Sequence, residues 1–145
     1  MSRKKYEKES SICNCLNIRR ASQAVTQIYD EYLEPSGLKV SQFSLLKHIK
    51  ILAPVSVSNL ALKMRLDRTT LVRNIKTIEK KELIEDTSLP GSRDRQLELT
   101  EKGINVLEIG EHHWNKAQEY IMEYMGRDEL ATLVGLLSKI EALVP

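Results

Sequence analysis

The sequence predicts a mainly α fold with a small β component, of the α+β class. Three observations predict it. Apolar residues recur at three- and four-residue steps over most of the chain. Two short capped helical segments, "NLALKMR" and "RTTLVRNIKTIEKK", follow each other with few residues between them, as in a helix-turn-helix. The period then changes to alternation in "LIEDTSL" and "RQLELT", with "PGS" as a turn between them, which is a β-hairpin. A hairpin directly after the second helix of such a pair makes a winged helix-turn-helix.

The elements follow in order. Ser10 or Ser11 can cap a first helix toward Leu33, with Ile12, Leu16, Ala21, Ala24, Val25, Ile28 and Tyr32 on its apolar stripe. "EPSG" ends it through Pro35 and Gly37. Ser41 can cap a second helix, with Leu45, Leu46 and Ile49 inward and Pro54 at its close. Ser58 and Asp67 cap the paired helices. Thr100 can cap a long helix with Ile104, Leu107, Trp114, Ala117, Ile121 and Met125 on one stripe, broken at Gly126. Asp128 can cap the last, through Leu130, Leu133, Leu137, Ile140 and Val144. Residues 38–100 thus form the winged lobe within a single domain, 1–145. A small winged lobe offers too little surface to bury both terminal stripes. Residues 10–34 and 101–145 are therefore expected to pack against those of a second copy, giving a twofold dimer.

Composition limits the function classes. A chain of 145 residues, 41% hydrophobic, is one domain with a core that needs no staples. The net charge of +2 excludes indiscriminate, whole-surface attraction to nucleic acid, so charge position must identify a partner. The opening "MSRKKYEKES" lacks the apolar stretch of a signal peptide. No apolar run approaches the roughly 20 residues needed to span a bilayer. The expectation is a soluble, cytoplasmic protein with no membrane partner.

The stretch "MRLDRTTLVRNIKTIEKKELIE" carries the functional argument. On a helical wheel Leu71, Ile75 and Ile78 share one narrow arc. Thr69, Thr70, Arg73, Lys76, Thr77 and Lys80 fall on the far side, with Arg68 and Asn74 on the flanks. Most polar helix faces only meet water. Here no carboxylate occurs between Asp67 and Glu79, although the chain holds 20 acidic residues. Threonine can touch a thymine methyl or bond a base edge, and arginine grips guanine through two bonds. A short capped helix and a tight turn before it would hold the second helix out to enter a major groove. The expected partner is double-stranded DNA, met by Ser58, Arg68, Thr69, Thr70, Arg73, Asn74 and Lys76. In the wing, "PGSRDRQ" sets Arg93 and Arg95 at or near the tip, suited to the negative potential of a narrow minor groove. Asp94 between them would be unwelcome beside phosphate unless it orients a neighbouring guanidinium as a bidentate pair.

These residues resemble the MarR family of transcription regulators over nearly the whole chain. "LDRTTLVRNIKTIEKKELIE" is similar to its recognition helix, "RDRQLELTEKG" to its wing and following helix start, and "CNCLNIRRASQAVTQIYDEYLEPSGLKVSQFSLL" to the first helix of one branch. Two positions depart from the pattern. Glu82 stands where many members have glycine, so a left-handed turn there must be made otherwise or is absent. Gly91 and Ser92 replace the more usual aspartate before the first wing arginine, which leaves either Arg93 or Arg95 as the minor-groove finger. The resemblance implies a homodimeric repressor on a roughly palindromic operator. It also implies release by a small phenolic or lipophilic effector bound between the DNA-binding lobe and the dimer helices, or in some members by cysteine oxidation.

By helix and facing, Tyr29, Tyr32, His112, His113 and Trp114 are the candidate effector residues. Cys13 and Cys15 are candidate redox residues, with Arg19 and Arg20 one turn on; the alternative is that one is a small core residue and the other incidental. Residues two apart on a helix point to nearly opposite sides, so an easy bridge between the two is not expected. His112 and His113 diverge by about 100°, a poor chelate, and no metal or cofactor is expected. No Ser/His/Asp spacing or glycine-rich phosphate loop invites an enzyme reading. A winged-helix protein–protein adaptor remains the alternative binding class.

Overall fold

The first helix, α1 (Asn14–Leu33), starts later than its serines suggest. In the computed structural model, which describes residues 6–145, Cys13 takes the extended N-cap position and no side chain caps the helix. Ser11 instead stays outside it, its hydroxyl accepting from the Cys13 amide at 3.0 Å. Asn17 reaches back to Ser11, its amide group bonding both the Ser11 N–H and C=O at 2.8 Å. The opening MSRKK, part of the signal-peptide expectation, lies outside the described residues.

A 3-10 turn, Glu34–Ser36, and Gly37 in the left-handed region turn the chain into α2 (Val40–Leu52). Its N-cap position is Lys39, not Ser41. The amides at this end are taken by one acceptor inside the helix and one outside it: Lys39 N–H by Gln42 of the first turn at 2.9 Å and Val40 N–H by Asp30 of α1 at 2.8 Å. Next come α3 (Val57–Met64) and α4 (Arg68–Lys80). Ser56 caps α3 by accepting the Asn59 amide; Ser58 is already the second residue of the helix. Asp67 caps α4 as expected.

Leaving α4, Glu82 itself adopts the left-handed conformation, φ +60°. The Leu83 amide then bonds the Ile78 carbonyl at 3.0 Å, and Thr100 donates its hydroxyl to the Glu82 carbonyl at 2.7 Å. The turn is made without glycine because these bonds hold it.

The hairpin strands are shorter than the alternation implied: β1 (Ile84–Asp86) and β2 (Leu97–Leu99), antiparallel, with Ile84 opposite Leu99. Asp86 is the reason. Its carboxylate accepts the amides of Ser88 and Gln96 at 2.9 and 3.1 Å, folding the wing by side chain where a ladder would continue. The turn itself falls where "PGS" put it, with Gly91 at φ +82° and Ser92 N–H bonded to Leu89 C=O at 3.0 Å. Val55 pairs with Leu97 on the hairpin's other edge.

Thr100 caps α5 (Glu101–Met125) through the Gly103 amide, and Gly126 ends it. α6 (Arg127–Glu141) follows with Gly126 in its N-cap position; Asp128 lies in its first turn and Val144 beyond its end, both displaced from their expected places.

One core holds the lobe together. Leu33, Phe43, Leu45, Leu46, Ile49, Leu60, Leu71, Ile78, Leu83, Ile84, Leu97 and Leu107 are all buried, drawn from both strands and from every α-helix except α6. α6 buries nothing, and of the expected α1 stripe only Ile28 is buried. Among the described residues no helix is long and apolar enough to cross a membrane.

Candidate nucleic-acid interface

The helix pair is built around a three-residue turn. Arg65 closes α3 in the left-handed region, φ 52°, and Leu66 N–H bonds Ala61 C=O at 3.3 Å. Asp67 then starts α4 with both carboxylate oxygens on Thr70: Oδ1 accepts the amide at 2.8 Å and Oδ2 the hydroxyl at 2.7 Å. The Thr70 bonds hold the Asp67 carboxyl below its ordinary range, amide first, then hydroxyl. Leu71, Ile75 and Ile78 are buried against the core, which fixes the rotation of α4 about its axis.

That rotation sets the other face outward. Thr69, Arg73, Lys76 and Lys80 are exposed, and Thr70, Asn74 and Thr77 half-buried. Two of the hydroxyls already have partners: Thr70 donates to Asp67, and Thr77 to the Arg73 carbonyl at 3.2 Å. Arg68 is exposed and donates from Nη1 to Ser58 Oγ at 2.7 Å, joining α3 to the first turn of α4. Helix α4 therefore presents four long cations, Arg68, Arg73, Lys76 and Lys80, and the Thr69 hydroxyl, which has no hydrogen bond among the described residues, with no carboxylate from Arg68 to Ile78.

The wing separates its two arginines. Arg93 is exposed. Arg95 forms a bidentate pair with Glu79 on the last turn of α4, at 2.8 and 2.7 Å, and its Nε lies 3.4 Å from Asp86. The carboxylate that orients a wing guanidinium is thus Glu79, not Asp94. Arg95 is held further toward its charged form, chiefly by the Glu79 bonds. Asp86 is held well below the usual carboxylate range by Ser88, then Gln96 and Arg95. Glu79 and Arg95 are sixteen residues apart on different elements, so nothing in their spacing announces the pair.

The candidate effector residues lie on α1 and α5, in different surroundings. Tyr29 donates its hydroxyl to Gln118. Burial raises its phenol above the ordinary value. Tyr32 packs on Tyr120, ring centroids 5.8 Å apart. Trp114 stacks on Phe43 at 5.7 Å, with the Lys47 ammonium 4.5 Å above its ring. Lys47 also pairs with Glu111 at 2.8 Å, which lowers the Glu111 carboxyl. His113 is half-buried and His112 exposed, their rings edge to face. Two open cavities lie elsewhere, and none of the five residues lines either. One, about 780 Å³, lies between the α3–α4 turn and the chain end beyond α6; Arg65 and Glu141 pair beside it at 3.0 Å. The other runs along the polar side of α1.

Cys13 and Cys15 are free and exposed. Cys13 precedes the helix, so the helical divergence of positions two apart does not apply to this pair. Among the described residues no three His, Cys, Asp or Glu side chains are grouped to hold a metal ion.

Comparison with known proteins agrees with this geometry. The MarR family model matches residues 38–93. The M. tuberculosis transcriptional regulator MosR, crystallised in complex with DNA, is 30% identical, with 92% of this chain and 99% of that one covered and a TM-score of 0.77. A mutant MarR from E. coli complexed with operator DNA is 24% identical over 94% and 100% of the two chains, TM-score 0.77. The S. aureus MepR–DNA complex, 17% identical over 92% and 100%, TM-score 0.77, shares the fold.

Proposed function

The chain belongs to the MarR family of transcription regulators, and from that premise we propose that it is a homodimeric, sequence-specific repressor acting in the cytoplasm and released from its operator by a small phenolic or lipophilic molecule. The observation that carries the DNA-binding part is the α4 face. A capped helix is held by Leu71, Ile75 and Ile78 and turns Arg68, Thr69, Arg73 and Lys76 outward with no carboxylate among them. Arg73 and Thr69 are the proposed base readers, and Lys76, Arg68 and Ser58 bind phosphate. Thr70 and Asn74 flank them, Thr70 holding the helix start. In the wing, Arg93 is the minor-groove finger.

Dimerisation is supported by what one chain leaves uncovered. Leu133, Val134, Leu136, Leu137 and Ile140 on α6 are 37–58% exposed, and Leu16 and Val25 on α1 and Met122 and Tyr124 on α5 are exposed as well. Exposed apolar surface of this kind marks a protein interface, and a twofold partner that sets the two α4 helices in successive major grooves would hold them about 34–36 Å apart, one turn of DNA.

The test is a titration of the purified protein against labelled DNA from its own upstream region, beside unrelated DNA, at two salt concentrations, with the bound species sized. Tight binding that prefers the upstream DNA, weakens with salt and involves two chains per duplex supports the proposal. No binding to either DNA rejects it in favour of the adaptor. Phenolic and lipophilic compounds are then screened for release of the complex; variants at Tyr29, Tyr32, His112, His113 and Trp114 that leave every response unchanged remove the effector assignment.

A second reading, redox control through Cys13 and Cys15, is favoured by the extended conformation of Cys13 and the exposure of both thiols. DNA binding that is lost with a disulfide oxidant and restored by dithiothreitol supports it. A Cys15→Ser variant that responds identically excludes it.

A further inference from the structure

The two wing arginines stand in different surroundings, and this assigns them different work. Arg95 is enclosed by carboxylates from two elements: Glu79 Oε1 and Oε2 on α4 take Nη1 and Nη2, and Asp86 Oδ2 in β1 faces Nε. Asp86 in turn holds the amides of Ser88 and Gln96, at the two roots of the wing. A single guanidinium therefore ties the end of the recognition helix, the outgoing strand and the returning strand. Little else fixes the loop there: beyond Asp86 the two sides are joined by the Thr87 amide and hydroxyl on the Gln96 carbonyl, at 2.8 and 3.3 Å. Arg93 is exposed and has no hydrogen bond or ion pair among the described residues.

We infer that Arg95 is a positioning residue that makes no DNA contact: it sets the angle of the wing against α4, so that Arg93 reaches the minor groove in fixed relation to the major-groove contacts. The inference rests on the DNA-binding reading above. A planar fork bound at both ends fixes orientation as well as distance, which a point charge does not. The fork that could grip a phosphate through two parallel bonds is already spent on Glu79, and Nε faces Asp86. To present that fork to phosphate Arg95 would have to leave Glu79, exposing an unneutralised carboxylate on the helix that approaches DNA.

Glu79→Gln separates the two roles, because it removes an acid from the DNA side. If Arg95 positions the wing, Glu79→Gln and Arg95→Gln each weaken binding to labelled duplex from the chain's own upstream region by about tenfold, the lower end of the loss from one misplaced arginine contact. The double variant is no weaker than either single one. Both keep the wild-type slope of affinity against salt, whereas Arg93→Gln lowers that slope by roughly one ion. Tighter or unchanged binding by Glu79→Gln, or a flattened slope in Arg95→Gln, overturns the inference. Amide hydrogen exchange across residues 87–96 in the DNA-free protein gives a second readout, and both variants are expected to speed it. Unchanged exchange overturns the inference by itself. Wild-type protein that binds no DNA overturns the proposed function and leaves the exchange result to judge the strut.

Discussion

Replacing Gly103 by Ala probes the joint between the wing and α5. Gly103 lies in the first turn of α5, against the chain entering β1. A Cβ built there would stand 2.0 Å from the Leu83 carbonyl oxygen and 2.9 Å from its carbon, both backbone atoms. Ordinary contact begins near 3.4 Å, so more than 1 Å of separation has to be made by moving backbone. The same carbonyl accepts the Thr100 amide at 3.0 Å, and Thr100 caps α5 through the Gly103 amide, so the displacement strains both bonds. Overpacking of this kind costs about 1–3 kcal/mol, and one weakened hydrogen bond adds about 0.5–1.5 kcal/mol. Alanine's helix preference returns at most about 1 kcal/mol. The net expected loss is about 1–3 kcal/mol, a fall in Tm of roughly 5 °C for a chain of this size. Urea unfolding followed by Trp114 fluorescence, at one fixed protein concentration because association would add stability, measures it. Gly110→Ala is the graded comparison, since its Cβ would meet the movable ring edge of Phe43 at 3.0 Å, and its loss should be smaller. A Gly103→Ala protein as stable as the wild type, or less affected than Gly110→Ala, would refute so close a seating of α5 on Leu83.

Arg73→Ala should cost about 1–3 kcal/mol of operator affinity and relax preference at one base position, whereas Lys76→Ala should weaken all duplexes alike and lower the salt slope by roughly one; a competition titration over mutated duplexes distinguishes them. Leu137→Glu, which places a charge in the uncovered α6 face, should yield monomers by light scattering and lose operator binding with them; an intact dimer would put the interface elsewhere. Stability should depend on acid in one direction. The carboxyls of Asp67, Asp86 and Glu111 are depressed in the folded protein by Thr70, Ser88 and Lys47 respectively. Their contribution is complete above the unfolded carboxylate range of about 4 and is lost as pH falls through the lower folded values. The urea midpoint should therefore be level from about pH 7 to 5 and fall below about 4, and a midpoint that rose on acidification would contradict these assignments.

The sequence alone determined the order of elements and the division of α4 into a buried and a cationic face. Both are periodic signals carried by neighbours: Leu71, Ile75 and Ile78 recur on one arc because the helix does, and Asp67 and Thr100 cap the helices that begin beside them. Capping was legible at Asp67 and Thr100, where one capping residue stands at the helix start. It was misread at Ser41 and Ser58, where Gln42, Asp30 and Ser56 satisfy the amides and a plausible serine stands beside the true position. Which glycine is indispensable was not legible, because Gly103 is constrained by a carbonyl twenty residues earlier. Nor was the difference between Arg93 and Arg95, two residues apart in one charged turn. Only the fold brings Glu79 from α4 and Asp86 from β1 to the second arginine and leaves the first exposed. Periodicity and caps act over one turn of chain and are written in sequence. A contact between a helix end and a hairpin depends on where the core places both, and that is fixed only when Leu71, Ile78, Leu83 and Leu97 pack together.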